Sequence, residues 1–399
     1  LAFEITQQEG LMIGEEIGTG LYRIVGHALK QIGALRRLPN AVDRKARPLV
    51  RRWRNRLFCQ RLKLEPRPSV RNFAQGLNVG GDQLQAFYGR HRTGWVYAVH
   101  CLKPLHHPGA IYFDTFVERT MRWHPQGPMY IGHPWIGIIH ETQTVPQWLS
   151  RLDGTGGARW TFRQRVWKKT LPHCRGLFAM SEYSAEFLRQ QFPHLPVSVL
   201  RFPTEFPDRQ WSWEAFRKNP RPKIVQVGWY MRMLHAIYEL PTTKYEKVAL
   251  PAVKGLDYFN EIFKCEREER KRRGLFYEPM YETAEMLGFL PDDEFDALLE
   301  KNIAFVCMYD ASANNTVIEC IARATPLLVN PLPAVVEYLG EDYPYYYTSF
   351  DEAADKAEDP GLALQTHEYL KRAPIREKMS PEYFRQSILE SEVYKSIHG

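Results

Sequence analysis

Several signatures are missing from this chain of 399 residues, and each absence narrows the reading. No run approaches 18 uninterrupted apolar residues, which argues against a membrane-spanning helix. The first residues, LAFEITQQEG, lack the basic-then-apolar pattern of a secretory leader, so a cytoplasmic setting is expected. Six cysteines (Cys59, Cys101, Cys174, Cys265, Cys307, Cys320) are scattered without a C-x-x-C pair. That spacing argues against zinc and for buried free thiols in a reducing compartment. There is neither a G-x-x-x-x-G-K-[ST] loop nor a G-x-G-x-x-G turn, so ATP hydrolysis and nicotinamide chemistry have no support. No D-x-D triad stands in a strand–turn context, and His106, His107 and His133 lack the spacing of metal ligands, so no metal is implied. Asp292 and Asp293, in PDDEFDALL, read as the acidic start of a helix.

What is present is a folded α/β protein. Hydrophobic residues make up 44% of the chain, a globular rather than a disordered composition, and the length suggests two domains. The net charge of +7 is unevenly placed. Residues 36–71 hold thirteen Lys or Arg against Asp43 and Glu65, a local +11, leaving −4 elsewhere. Trp53, Leu57, Phe58 and Leu62 recur there at helical spacing. This arm reads either as a helix packed by its apolar side or as a basic amphipathic segment for an anionic membrane or for nucleic acid.

Beyond residue 73 the pattern alternates between strand and helix, as in a parallel sheet. TGWVYAVHCL (93–102) reads as a helix or strand. AIYFDTFVE (110–118), WIGIIHET (135–142), CRGLFAMS (174–181) and VSVLRFPTEF (197–206) carry strands, and EYSAEFLRQQF carries a helix. GLNVGGDQ (76–83) is a weak glycine-rich turn. Residues 207–222, rich in proline and charge, read as a linker. KIVQVGWYMR (223–232) opens a second half, 241–255 looks like an inserted loop, and a charged helix is expected over Asp257–Arg273. The division that follows is an extension (1–72), a first α/β domain (73–210), a second α/β domain (211–362) and a terminal helical stretch (363–399).

The most informative segment is 302–347, NIAFVCMYDASANNTVIECIARATPLLVNPLPAVVEYLGEDYPYYY. Ile303–Met308 is a strand, Asp310–Asn315 has turn and cap chemistry, Thr316–Ala324 makes about two helical turns, and Pro326–Val329 is a second strand. This is a βαβ unit, and ligands on such sheets bind beyond the carboxyl ends of the strands, at helix N-termini. The segment resembles the donor-binding signature of GT-B glycosyltransferases, in particular the large retaining group that uses nucleoside-diphosphate sugars. The resemblance implies two Rossmann-like domains facing a cleft, the first (73–210) for the acceptor and the second (211–362) for the nucleotide sugar, with a C-terminal helix (363–399) packing back on the first. It implies diphosphate contacts from Asn314, Asn315 and Thr316, a ribose contact from Glu319 and a further nucleotide contact from Glu337. It departs from the group at Ala311, where an acid usually stands near the donor sugar, with Asp310 adjacent. VGWYMRMLHAIYEL resembles the turn whose arginine contacts the diphosphate, which assigns that role to Arg232. The lysine that usually follows is replaced by His235, with Lys244, Lys247 and Lys254 further on. His140, ending WIGIIH, matches a histidine that contacts the donor sugar. In inverting relatives a first-domain side chain is instead the general base, a role for which Asp114, Glu118 and Glu141 compete with His140.

The resulting expectation is a hexosyltransferase-like enzyme, retaining in mechanism. It would use a UDP- or GDP-sugar as donor substrate, with no obligatory cofactor, and a glycan, lipid-linked or nucleic-acid acceptor. Other readings are an epimerase or hydrolase on the same scaffold, a non-catalytic sugar-nucleotide or nucleic-acid binding protein, and a transferase acting on a modified DNA base.

Overall fold

The structure is a computed structural model, and it describes residues 73–84, 92–124, 127–153, 156–251, 256–275 and 283–398. The expected extension, 1–72, with its basic arm at 36–71, lies outside the described residues.

Two five-stranded sheets, parallel throughout, organise the chain. The first holds β1 (Asn78–Val79), β2 (Tyr112–Asp114), β3 (Trp135–Ile138), β4 (Cys174–Ala179) and β5 (Val197–Val199), side by side in chain order. The second holds β6 (Lys223–Val227), β7 (Glu246–Leu250), β8 (Ala284–Met286), β9 (Ile303–Val306) and β10 (Leu327–Val329), in the order β10-β9-β6-β7-β8. Strand order therefore reverses between β6 and β9. A reversal of this kind opens a crevice beyond the carboxyl ends of the two strands that flank it.

The strands are short and apolar because both sheet faces are covered. Every residue of β3, β9 and β10 is buried. Helices 182–191 and 315–323 start where a side-chain cap is available. Ser181 accepts from the backbone N–H of Ser184, and Asn314 from that of Val317. Helix 315–323 ends at Ala324 in the left-handed region (φ 51°), where its N–H reaches the carbonyls of Cys320 and Ile321.

Three expectations change. Residues 241–255 are not simply an inserted loop, because Glu246–Leu250 is β7, paired along its length with β6 and flanked on its other side by β8. GLNVGG contributes the edge strand β1 as well as a turn. TGWVYAVHCL resolves as a helix, Trp95–Leu102.

The chain crosses between the halves twice, first after β5 and again near residue 379, and the crossings touch: Thr204 N–H donates to Met379 O at 3.0 Å. Helix 360–372 stays with the second half, where His367 Nδ1 meets Ala324 O (2.7 Å) and Tyr369 donates to Leu339 O (2.6 Å). The return is made by helices 381–389 and 392–398. Phe384 meets Phe202 edge-on, Arg385 donates to Cys101 O, and Val393 N–H donates to Ser198 Oγ.

Candidate active site

Past β6 the backbone turns through Gly228 (φ +82°) and Met231 (φ 61°). Met231 is a left-handed non-glycine residue, an unusual and costly conformation. Its carbonyl accepts from Tyr309 N–H, and Met233 N–H donates to Cys307 O, so the turn is stitched to the chain leaving β9. Gly228 is needed twice over. Its φ suits glycine, and a Cβ there would sit 3.0–3.1 Å from the guanidinium of Arg232.

That guanidinium is pressed onto the start of helix 315–323. Arg232 Nη1 donates to Tyr230 O (2.6 Å), and Nη2 donates to Asn314 Oδ1 (3.1 Å) and Thr316 Oγ1 (2.9 Å). Its Nε is buried without an acceptor. Burial lowers its pKa to about 10, with the carboxylate of Glu319 pulling the other way, so it remains a cation at neutral pH.

Arg232 and Glu319 line one cavity of about 200 Å³ at the switch point, together with Asn315 and Thr316. Leu250, Pro251, Phe289, Leu290 and Phe295 form its apolar wall, and Arg92 enters from the first half. Asn315 is exposed, with its amide against Gly94, where a Cβ would lie 3.0 Å away. Behind the wall Asp296 accepts from Arg323 Nε (2.8 Å) and Nη2 (2.6 Å) and pairs with Arg92 across the halves. A fixed cation, a helix N-terminus, a buried carboxylate and a flat apolar wall are the groups that anion, diol and ring recognition require.

The facing wall in the first half is built around the end of β3. The ring of His140 stacks on Phe116 (centroids 4.1 Å apart) and meets Phe202 edge-on. Its Nε2–H donates to Thr115 O at 2.8 Å, which assigns the tautomer and leaves the lone pair on Nδ1. Burial lowers its pKa to about 4, so His140 is neutral at pH 7 and a weak base. The carbonyl of His140 accepts from Ser312 Oγ of the opposite half.

Of the competing acids, Glu118 accepts from the N–H groups of His140 and Glu141, and burial beside Glu141 lifts its pKa to about 8. Glu141 pairs with Arg122 (2.6 Å) and accepts from Tyr230 of the second half (3.4 Å). Asp114 is fully buried, accepts from Phe116 N–H and Thr120 Oγ1, and is raised to about 7 by burial.

Not every candidate converges. Asn314 reaches the cavity through Arg232 and otherwise serves as the helix cap. His140 does not line the cavity. Glu337 lies elsewhere too. Its two oxygens accept from the N–H groups of Glu182 (2.7 Å) and Tyr183 (2.8 Å) and from Arg201 Nη2 (3.0 Å). The carboxylate assigned by resemblance to the nucleotide is thus engaged on the N-terminus of helix 182–191. Ala311 is buried, and the carboxylate of the adjacent Asp310 accepts from Ala311 N–H. His235 is buried against Glu266, at 2.6 Å, away from the cavity. Among the described residues no group of His, Cys, Asp and Glu could hold a metal ion. Arg92 and the Phe289–Phe295 wall were missed. Arg92 stands in RTGW with no motif around it, and the wall combines Phe289 and Leu290 of a loop with Phe295 of helix 292–299, whose start was read only for its acidic cap.

Two parallel α/β halves, a crevice at a strand-order reversal and a chain that returns to its first half define the GT-B architecture. No family model and no curated protein matches the chain in sequence. Similar solved structures include S. aureus TarM, as a point mutant in complex with fondaparinux, alpha-GlcNAc-glycerol and UDP. It is 12% identical, with a TM-score of 0.49 over 73% of this chain, which spans 56% of that chain. Others are a UDP-forming trehalose-phosphate synthase from Burkholderia xenovorans (14%, TM-score 0.46, 76% of this chain and 77% of that one) and an E. coli structure titled trehalose-6-phosphate, bound with UDP-2-fluoro glucose (12%, TM-score 0.48, 75% and 77%). These are likenesses of chain course, and the chemistry of the cavity rests on its own residues.

Proposed function

We propose that this chain is a glycosyltransferase that moves a sugar from a nucleoside-diphosphate sugar to an acceptor hydroxyl. The observation that carries the reading is the placement of Arg232 and Glu319 in one cavity at the strand-order reversal. Arg232 and the N-terminus of helix 315–323 would bind the diphosphate and stabilise it as it leaves, a charge that grows in the transition state. Glu319 offers two acceptors to a pair of ribose hydroxyls, and the wall from Leu250 to Phe295 takes the base.

Retention of configuration fits the first-half wall. His140 is neutral and its Nε2–H is already committed to Thr115, which suits a positioning contact better than proton abstraction. The leaving phosphate itself would take the acceptor proton, and no side-chain base is then required. UDP- and GDP-sugars are the donors proposed.

Turnover of a panel of UDP- and GDP-sugars, read as release of the nucleoside diphosphate with and without candidate acceptors, tests this. Release from one donor is expected, falling more than a hundredfold in Glu319→Ala. A panel without turnover, with retained nucleotide binding, would instead make the chain a binding protein.

A further inference from the structure

The first half carries a basic surface none of whose residues lines the cavity. Between Asp153 and Glu182 the chain has six Lys or Arg and no acid: Arg159, Arg163, Arg165, Lys168, Lys169 and Arg175. All six are exposed. They lie on helices 158–163 and 165–170 and at the start of β4. None of them takes part in an ion pair with the carboxylates of helix 182–191, since Glu182 and Glu186 pair with Arg189. Among the described residues, only Arg159 of the six has a polar side-chain contact, a 3.4 Å hydrogen bond to Gln143. So dense a run of like charge stores repulsion, which an anionic partner would relieve.

The patch is not flat. Arg159, Arg163 and Lys168 rim a cavity of about 350 Å³ whose floor is Phe162, Trp167, Leu171 and Phe192. Trp167 packs beneath Phe162 and Phe192, with ring centroids 4.7 and 5.4 Å away. An apolar floor within a cationic rim matches an anion that carries hydrocarbon. It does not match a stacked base. Trp160, the exposed aromatic on these helices, has its ring covered by the guanidinium of Arg122 at 4.7 Å. One face of that ring is therefore occupied, which disfavours stacking of a single-stranded base on it. A tryptophan partly in water beside several cations is the composition of a surface that rests at a lipid headgroup layer.

We infer that the face formed by helices 158–163 and 165–170 docks on an anionic lipid bilayer, with a headgroup anion between Arg159, Arg163 and Lys168 and the Phe162–Phe192 floor beneath it. This site is independent of the nucleotide cavity. None of its residues lines that cavity, so failure of one reading leaves the other standing.

The test is co-flotation of the full chain with vesicles of 70% phosphatidylcholine and 30% phosphatidylglycerol, against vesicles of phosphatidylcholine alone. Binding to the anionic vesicles and little to the neutral ones is expected, falling steeply as salt is raised. At about fivefold per cation near such a surface, Arg163→Gln with Lys168→Gln should weaken binding by about thirtyfold. Both residues are exposed, so circular dichroism should show the double variant folded. Absence of vesicle binding, binding indifferent to the anionic lipid, or a double variant that binds as tightly as the parent would each overturn the proposal. So would salt-sensitive binding to a 20-nucleotide RNA that is lost in the same variant while vesicles are ignored, because the partner would then be nucleic acid.

Discussion

Arg232 Nη2 lies 2.9 Å from Thr316 Oγ1, and this hydrogen bond ties the turn after β6 to the first residues of the helix after β9. The same nitrogen reaches Asn314 Oδ1, the atom that caps that helix. One guanidinium thus spans both sides of the strand-order reversal, and its planar fork does what a lysine ammonium cannot. Arg232→Lys is expected to keep the positive charge yet lose at least tenfold in nucleoside-diphosphate affinity, about 1.4 kcal/mol, by isothermal titration calorimetry. An unchanged dissociation constant would mean that the geometry of the fork is irrelevant to binding.

Glu337 distinguishes a clamp from a ligand. Its carboxylate takes two backbone N–H groups at the start of helix 182–191 and the guanidinium of Arg201. Removing it strands those donors and a favourable charge at a helix N-terminus. Glu337→Ala should lower the unfolding free energy by about 2 kcal/mol in urea titrations and leave nucleotide affinity within a factor of about three. A loss of nucleotide affinity as large as that of Glu319→Ala would return Glu337 to the nucleotide.

His140 makes the fold sensitive to acid. Its pKa is lowered to about 4 by burial, against about 6.5 in an unfolded chain. Between these values the unfolded chain binds the extra proton and the native one does not, so stability falls as pH drops from about 6.5 to 4. The loss from this group amounts to about 3 kcal/mol at most. His140→Gln should flatten that part of the stability–pH curve, and a parallel curve would show that His140 contributes nothing to it.

Glu118 acts in the opposite sense. Burial and the neighbouring Glu141 raise it to about 8. The native state then keeps a proton that the unfolded chain has already released, so stability declines as pH rises from about 4.5 toward 8. Glu118→Gln retains an oxygen for the N–H groups of His140 and Glu141 and removes the titration. Its melting temperature is expected to gain on that of the parent with rising pH, and an equal gap at pH 5 and pH 8 would count against a raised carboxyl here.

Legibility of the sequence followed burial. β9, helix 315–323 and β10 were readable because the strands are wholly buried apolar runs and the helix begins with an Asn that caps it. β7 was not, because only Val248–Leu250 of its five residues is buried, and Lys and Glu lead into it after a proline. β1 has two residues between glycines, too short for any periodicity. At the site, Arg232 and Glu319 stood out because the segments around them resemble the donor-binding signature of GT-B glycosyltransferases. The engagement of Glu337 was invisible, since its partners are backbone N–H groups 154 and 155 residues away. Arg92 was hidden for a similar reason. Only folding brings it to Asp296, which already holds Arg323.

The two crossings of the chain have a mechanical corollary. Thr204 and Met379 are bonded to each other, and Glu205 N–H is bonded to Arg92 O, so both connectors run through one narrow seam. Further bridges join the halves away from it: Ser312 Oγ donates to His140 O, Tyr230 donates to Glu141, and Glu337 accepts from the N–H groups of Glu182 and Tyr183. Arg92 sits on that seam with its side chain at the cavity beyond the strand-order reversal. The two halves are therefore held together by side-chain bridges as well as by the chain that connects them, and separating them would cost these bonds in addition to those of the crossings.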